Sequence, residues 1–319
     1  MKRTMVGLVA LFFACIMLMT SCETNGWKGF DEEDLHDRIV AYGEDLLKRF
    51  YGDDTPPAPM KSYFDALMKK IEGLLRMFRK EFAASKFVPV AFEQGIGMGE
   101  NPVPATVIPL ERGSISVIGA VDRVDAYEQD GKKYLRVVDY KTGSKKFDFR
   151  HVQNGIDVQM LMYLLALRQN LYPNENCVPA GVQYVSAKTA PVAGTRDQSE
   201  EELQEAWEAA TVRSGVYLKD DSILHAMDDT PDRRYLRIVK SSSPYLITEA
   251  AFGKLFEDIT LLLQKMGDSL HRGAIDKNPI AIGRDYESCR FCDLKDYCRH
   301  PEPRNALIDE EVTEHAPMD

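Results

Sequence analysis

Residues 117–141 read VIGAVDRVDAYEQDGKKYLRVVDYK, and this stretch decides the fold. Two apolar runs flank the Asp-Gly pair at 130–131, a pattern typical of a β-hairpin. Asp122 belongs to the first run, and Asp139 and Lys141 close the second. Because side chains alternate along a strand, Asp139 and Lys141 are predicted to project from the same face. A carboxylate and an ammonium fixed side by side indicate that this face of the strand carries a chemical function.

The composition is that of an ordinary globular protein, with 44% hydrophobic and 28% charged residues among 319. Forty basic against fifty acidic side chains give a net charge of -10, which argues against a protein that binds polyanions over its whole surface. A local basic patch is still compatible with this balance. Such a patch, or simply a solvated strand face and loop, is predicted beside the second strand, at Lys132, Lys133, Arg136, Lys145, Lys146 and Arg150.

The N-terminal segment differs from the rest of the chain. Lys2 and Arg3 precede an uncharged, mostly apolar run at residues 5–19, and Cys22 follows at the position that lipoprotein export signals lipidate. The run is short for a transmembrane helix. The two interpretations are an export signal and an N-terminal helix that is buried or frayed.

The spacing of apolar residues along the remaining chain predicts the other elements. The segment at residues 152–171 is apolar nearly all round, which predicts a buried helix. Residues 220–232 are polar and are predicted to form a loop. Further helices are predicted at 31–50, 61–85, 197–210 and 249–272, and strands at 114–127, 133–141 and 180–186.

Three motifs in this order resemble the core of RecB-like PD-(D/E)XK nucleases. They are Gly119-Ala120-Val121-Asp122, Asp139-Tyr140-Lys141-Thr142-Gly143 and Gln159-Met160-Leu161-Met162-Tyr163. Two more stretches narrow the resemblance to the nuclease domain of AddB-type helicase-nuclease subunits. These are residues 87–93, ending in Glu93, and the Cys289-x2-Cys292-x5-Cys298 pattern. The resemblance implies an α/β fold with a mixed central sheet flanked by helices, helical additions and a C-terminal cysteine cluster.

The resemblance also implies a metal-dependent deoxyribonuclease site. Asp122, Asp139 and the backbone carbonyl of Tyr140 would bind Mg²⁺ or Mn²⁺, with Glu93 as a weaker outer ligand, because hard cations prefer oxygen. Lys141 would orient the attacking water or stabilise the developing charge. Gln159 and Tyr163, four residues apart on one helical face, would hold Lys141 or a substrate phosphate. Individually, these residues are also compatible with a solvated strand end, a surface ion pair and a core tyrosine.

The resemblance further implies that Cys289, Cys292 and Cys298 join an upstream cysteine around a 4Fe-4S cluster. Neither Cys15, Cys22 nor Cys177 lies in the expected surroundings, so the set is incomplete. The alternatives are reduced cysteines or one disulfide.

The resemblance to RecB-like nucleases also implies a metal-binding histidine in the region that would hold the upstream cysteine. His36 is the only histidine before Glu93, and its helix aligns downstream of that position. The sequence therefore predicts a nuclease domain that lacks its first helix, with residues 1–26 in its place, and an activity that this loss impairs.

The predicted organisation has a signal-like segment at 1–26, a nuclease domain at 27–300 and a flexible tail at 301–319. Within the domain, we expect leading helices at 27–95, the catalytic core at 96–190, a helical region at 191–280 and the cysteine cluster at 281–300. A phosphate-binding loop of the G-x4-G-K-[ST] kind is absent from the sequence, so ATP hydrolysis by that route is not expected.

The first functional hypothesis is a cytoplasmic deoxyribonuclease that acts on DNA, with an AddA-like helicase subunit as partner. The second is a catalytically silent DNA-binding or scaffold module of such a complex. The third is an exported lipoprotein that keeps the fold, and it alone would contact a membrane, through lipidated Cys22.

Overall fold

This computed structural model describes residues 32–52, 57–141, 143, 145–173, 176–189, 197–236, 243–276, 279–281, 289, 292–298 and 304–305. Helices pack around a mixed central sheet, so the predicted α/β class is confirmed. The described helices are α1 (Glu32–Tyr51), α2 (Ala58–Ala83), α3 (Phe149–Gln153), α4 (Gln159–Asn170), α5 (Glu200–Ala210), α6 (Asp221–Met227), α7 (Glu249–His271) and α8 (Lys295–Cys298). The described strands are β1 (Val88–Ile96), β2 (Thr106–Pro109), β3 (Ser114–Val117), β4 (Gly119–Gln129), β5 (Lys132–Lys141), β6 (Cys177–Thr189), β7 (Thr211–Leu218), β8 (Leu246–Ile247), β9 (Ile280–Ala281) and β10 (Arg304–Asn305).

The central sheet has the strand order β1-β4-β5-β6-β7-β8. Strands β1, β4 and β5 form an antiparallel meander, and β6 then pairs parallel to β5. Strand β7 is antiparallel to β6, and β8 is parallel to β7. The parallel β5–β6 pair requires a crossover, and α3 and α4 supply it.

Two helical layers cover the two faces of the sheet. Helix α2 packs on one face, where Phe78 belongs to the same apolar cluster as Val138 and Tyr140. Helices α4 and α7 cover the other face, where Val137 lies in the larger core. Successive residues of β5 therefore contact opposite layers, as the period of a strand requires.

The β4–β5 hairpin confirms the prediction from the Asp-Gly pair. Asp130 and Gly131 form a two-residue connection and have φ angles of 52° and 70°. Positive φ at both positions is the geometry that Asp-Gly adopts most readily in hairpins. The turn fixes the register of the two strands and thereby the positions of Asp122 and Asp139.

The predicted strand at residues 114–127 is wrong in one respect, because it is interrupted at Ile118. The first part, β3, pairs with β2 in a separate two-stranded sheet, and only β4 belongs to the central sheet. A Cβ atom on Gly119 would lie 1.7 Å from the Tyr163 hydroxyl oxygen, so only glycine fits where β4 begins.

The predicted helix at residues 152–171 is likewise two helices, α3 and α4. Gly155 and Asp157 between them have φ angles of 76° and 61°, which a continuous helix cannot contain. The burial prediction is confirmed, since residues 160–167 are all buried. Because α4 is covered on every side, it is apolar all round.

Other elements escaped the sequence patterns. The predicted loop at 220–232 contains α6, whose N-terminus is capped by the Asp220 side chain and whose Ile223 and Leu224 are buried. Strand β1 begins in the segment predicted as leading helices, and β7 lies in the segment predicted as helical. Across the described ranges, no helix is both long and apolar enough to cross a membrane.

Candidate active site

Asp122 lies on β4 and is held by the neighbouring strand. The backbone N–H of Tyr140 donates a hydrogen bond to Asp122 Oδ2 at 2.7 Å. Burial raises the pKa of Asp122 to about 6, and the negative charge of Asp139 adds to the rise. The Tyr140 hydrogen bond and the charge of Lys141 oppose it. The hairpin thus brings the two predicted carboxylates close enough to repel each other.

Asp139 and Lys141 form an ion pair on β5. Lys141 Nζ donates to Asp139 Oδ1 at 2.9 Å and lies 2.7 Å from Oδ2. The Asp139 side chain is 11% exposed, whereas that of Lys141 is 39% exposed. Burial raises the pKa of Asp139, and the ammonium of Lys141 opposes that rise. The two side chains share one face of the strand, as their alternation predicts, and the lysine reaches solvent.

Glu93 lies opposite Asp122 on β1. The register pairs Phe92 with Arg123 and Gln94 with Val121, which places Glu93 across from Asp122. Glu93 has a φ of 48°, and its Oε1 is buried without a hydrogen-bond partner in the described structure. Burial, and then the charge of Asp122, raise the pKa of Glu93 to about 7. The structure therefore adds a third carboxylate to the pair on the hairpin.

Gln159 and Tyr163 lie one turn apart on α4. Gln159 Nε2 donates to the Tyr163 hydroxyl at 2.7 Å, and that hydroxyl lies 3.5 Å from the Ile118 carbonyl oxygen. The ammonium of Lys141 pairs with Asp139 and not with Gln159. Tyr163 therefore rests over the glycine at the start of β4, where it supports the strand that carries Asp122.

A second cluster follows the strand that carries Asp139, and the sequence patterns missed it. Asp157 accepts from Lys145 Nζ at 2.5 Å and contacts His151 Nδ1 at 2.9 Å. The charge of Lys145 acts to lower the pKa of Asp139, so the cluster lies near the carboxylates. Lys145 and His151 are twelve and six residues before Asp157, and they lie on a loop and on the short helix α3, which leaves no periodic signal to detect.

The opposite face of the hairpin carries a buried charged network. Arg123, Asp125, Arg136, Glu81 and Arg213 are each at most 6% exposed. Asp125 accepts from Arg123 at 3.1 Å and from Arg136 at 2.6 Å, and Glu81 accepts from Arg213 at 2.6 Å. An Arg and an Asp two residues apart within an apolar strand were the available signal, since residues with that spacing share a face.

The predicted basic patch is wrong for Arg136, which is buried in that network. Several of the other cations are paired with acids. Lys132 lies 3.6 Å from Glu249, and Arg150 lies 2.6 Å from Asp148. Such pairs reduce the net positive charge that the patch presents.

The donors at the hairpin fit a divalent cation in their chemistry. Burial is the main cause that raises the pKa of Asp122, Asp139 and Glu93, and a bound cation would favour their ionised forms. Carboxylate oxygens are the ligands that Mg²⁺ and Mn²⁺ prefer. In the part of the chain that is described, no three His, Cys, Asp or Glu side chains are grouped so that they could hold a metal by themselves.

His36 lies on α1 and contacts the neighbouring helix α2. Its Nδ1 is 3.5 Å from Glu72 on α2, and its side chain is 57% exposed. The structure therefore places this histidine against a helix and not beside Asp122 or Asp139.

Cys298 ends the short helix α8, and the backbone N–H of Cys292 donates to the Cys289 carbonyl oxygen at 3.2 Å. Cys292 is exposed, and Cys289 and Cys298 are partly exposed. Cys177 is buried at the start of β6. Within the described ranges, these cysteines do not form a group of three that could hold a metal. The iron-sulfur cluster stays a prediction, and Cys15, Cys22 and the signal-like segment lie outside the described residues.

A mixed sheet whose central hairpin carries two carboxylates and a following lysine is the arrangement of a PD-(D/E)XK nuclease core. The chain belongs to the PD-(D/E)XK nuclease superfamily, because a sequence model of that superfamily matches residues 29–299.

Among curated proteins, the chain is similar to a subunit of the ATP-dependent helicase/deoxyribonuclease from several bacteria. It is 25% identical to that of Clostridium acetobutylicum over 287 residues, which cover 87% of this chain and 25% of the relative. It is 29% identical to that of Clostridium novyi over 253 residues, which cover 76% of this chain and 22% of the relative. It is 27% identical to that of Oceanobacillus iheyensis over 249 residues, which cover 73% of this chain and 21% of the relative. The chain thus spans about a quarter of the length of these relatives.

Proposed function

We propose that this domain hydrolyses DNA phosphodiester bonds with a bound divalent cation, Mg²⁺ or Mn²⁺. The observation that carries the proposal is the placement of Asp122, Asp139 and Lys141 on one face of two paired strands, where the carboxylates repel each other and the ammonium reaches solvent. Membership in a nuclease superfamily supports the reaction class. DNA as the substrate comes from the name of the curated relatives.

Asp122 and Asp139 would hold the cation together with the backbone carbonyl oxygen of Tyr140. Glu93 lies across from Asp122 and would act from the outer shell. When bound, a divalent cation polarises the scissile phosphate and lowers the pKa of a water molecule. The protein supplies the fixed carboxylates, and the Tyr140 amide holds one oxygen of Asp122.

Lys141 has a separate task in this proposal. Its ammonium carries three N–H donors, and Asp139 does not occupy all of them. A remaining donor can orient the attacking water or stabilise the charge that develops on the phosphate. Gln159 and Tyr163 hold the beginning of β4 and would contact a substrate phosphate beside it. Positioning of this kind accounts for a large share of the rate enhancement in phosphate chemistry.

We further propose an AddA-like helicase subunit as partner, DNA as ligand and the cytoplasm as location. The names of the relatives couple a helicase with a deoxyribonuclease, and this chain corresponds to about a quarter of their length. A helicase would supply the unwound strands on which such a nuclease domain acts.

A catalytically silent DNA-binding or scaffold module is the second candidate. The described residues hold no group of three metal-binding side chains, and His36 pairs with Glu72 on another part of the molecule. With only two carboxylates and a carbonyl, cation binding would be weaker than at a site with more protein ligands, which favours this alternative.

Digestion of linear single- and double-stranded DNA by the full chain, with and without Mg²⁺, separates the two functions. Asp139→Ala should abolish a Mg²⁺-dependent cleavage, and Lys141→Ala should slow it strongly. Lys254→Ala, which removes another lysine paired with an aspartate at 2.8 Å, should retain it. Equal cleavage by all variants would reject the catalytic assignment. A parent protein that binds DNA but does not cut it would establish the silent module.

A further inference from the structure

We propose that Arg123 and Tyr140 are positioning residues for the cation site. A hydrogen bond between their side chains, on the α2 face of the sheet, fixes the Tyr140 backbone that serves the opposite face. This inference rests on the proposed function, because it concerns the same carboxylates. The sequence motifs assign no role to either side chain. They indicate only the backbone carbonyl of Tyr140, as a ligand of the cation.

Tyr140 connects the two faces of the sheet. Its backbone N–H holds Asp122 Oδ2 at 2.7 Å, and its sequence neighbours are Asp139 and Lys141. Its side chain points the other way, as the alternation along β5 requires, and is 9% exposed in the cluster beneath α2. A rotation of the Tyr140 backbone would therefore turn its N–H away from Asp122 and would also move Asp139 and Lys141.

The Tyr140 ring is held from two sides. Arg123 Nη1 donates to its hydroxyl at 2.5 Å, and the guanidinium lies 5.5 Å from the ring centroid. Phe78 of α2 packs against the ring at a centroid distance of 5.3 Å. The hydroxyl oxygen of a tyrosine can accept this hydrogen bond from the guanidinium. The ring is consequently fixed by one polar and one aromatic contact.

Arg123 is itself immobilised. It is fully buried and donates to Glu81 at 3.2 Å and to Asp125 at 3.1 Å. Arg213 and Arg136 bind the same two carboxylates. Three guanidiniums thus face two carboxylates, which leaves donors in excess. The Tyr140 hydroxyl takes up one of them, and this explains why a neutral tyrosine belongs to a charged network.

The chain of contacts runs from α2 through the sheet to the proposed cation site. Glu81 on α2 holds Arg123, Arg123 holds the Tyr140 side chain, and the Tyr140 amide holds Asp122. Partners behind metal ligands commonly set the orientation of those ligands, and their loss weakens metal affinity. Here the residue that orients Asp122 is a tyrosine whose hydroxyl oxygen lies on the opposite face of the sheet.

Tyr140→Phe tests the inference, because it removes one hydroxyl and keeps the ring between Arg123 and Phe78. Tyr217→Phe is the control, since Tyr217 is also buried and lies near Arg136 and Arg213 of the same network, but it lies on β7. Calorimetric titration of the 319-residue parent and of each variant with Mn²⁺, in the absence of DNA, measures cation affinity. Cleavage rates across a range of Mn²⁺ concentrations then separate affinity from turnover.

We expect Tyr140→Phe to bind Mn²⁺ about tenfold more weakly than the parent and Tyr217→Phe to bind it equally well. At saturating Mn²⁺, the turnover of Tyr140→Phe should return to the parent value, because the hydroxyl takes no part in the chemistry. Equal Mn²⁺ affinity in the parent and Tyr140→Phe would overturn the inference. An equal loss in both variants would overturn it too, since that result reports general loosening of the buried network.

Circular dichroism of each variant shows whether it has folded. Should Tyr140→Phe fail to fold, Phe78→Leu loosens the ring from the α2 side and leaves the hydroxyl in place. We expect weaker Mn²⁺ binding there as well, and parent-like affinity would overturn the inference. If the parent neither binds Mn²⁺ nor cleaves DNA, the proposed function itself fails, a result distinct from an active parent with an unaffected Tyr140→Phe.

Discussion

The carboxylates of Asp122 and Asp139 lie on adjacent antiparallel strands, close enough for the charge of one to raise the pKa of the other. Two partly buried like charges oppose folding unless a cation or a proton compensates them. The consequence is a site whose stability without metal depends on pH.

The metal-free protein should lose stability as the pH rises from about 4 to about 6, because of Asp122. Its pKa increases from 3.8 to about 6 on folding, so the folded state binds more protons in this window. The free energy of unfolding gained at low pH from this carboxyl is at most about 3 kcal/mol. Urea unfolding in EDTA, measured from about pH 4 to about pH 6 for the parent and for Asp122→Asn, tests this loss of stability. The difference between the two profiles should shrink toward low pH, and a constant difference would contradict the expectation.

Lys141→Ala should slow Mg²⁺-dependent cleavage by about 100-fold or more, the usual effect of removing one donor to developing charge. Cation binding should persist, because the carboxylates remain in place. Steady-state cleavage of a linear DNA substrate and Mn²⁺ calorimetry together measure both properties. Loss of Mn²⁺ binding in this variant would show that the lysine supports the site structurally instead.

Gly119→Ala should destabilise the fold by about 1–3 kcal/mol, the usual cost of overpacking. The added Cβ would meet the Tyr163 hydroxyl oxygen at 1.7 Å. In a Tyr163→Ala background, the same change should cost less but not nothing, because the clashing ring is absent whereas the φ of 158° at Gly119 still strains an alanine. Gly253→Ala is the control, since a Cβ there has no neighbour within 4 Å and lies in helix α7. Chemical unfolding of the four variants and the parent provides the comparison.

Arg123→Met should destabilise the protein by about 3 kcal/mol or more, because Glu81, Asp125 and the Tyr140 hydroxyl each lose a buried hydrogen bond, although Arg213 and Arg136 still pair with the two carboxylates. The matched change at the surface is Arg150→Met, which breaks a 2.6 Å pair with Asp148 in which the arginine is 58% exposed. That pair should contribute no more than about 1 kcal/mol. Urea midpoints measure both effects, and similar losses would mean that burial does not decide the value of these pairs.

Much of the central hairpin was predictable because its determinants are local. The Asp-Gly pair fixes the turn, and strand alternation fixes which side chains share a face with Asp139. The order of motifs through Gln159 then indicated the superfamily. The burial of α4 followed equally directly, because a helix that is apolar on all sides has no face to expose.

The breaks in the elements were not predictable in the same way. Ile118 interrupts an apolar run only because β3 pairs with β2 elsewhere and Tyr163 packs over Gly119. Helix α6 was hidden because its polar residues suggested a loop, although Asp220 caps it. Arg136 was predicted to belong to a surface patch, although the register set by the Asp-Gly turn places Asp125 opposite it.

By itself, the sequence determined the hairpin, the face shared by Asp139 and Lys141, and the superfamily, because each follows from residue types at short, fixed spacings. Only the tertiary structure decided that Asp122 and Glu93 face each other across β1 and β4, and that Tyr140 ties a buried arginine to the proposed cation site. These relations join residues that are distant in the chain, and they depend on strand register and on compensation of buried charge, which no local pattern records.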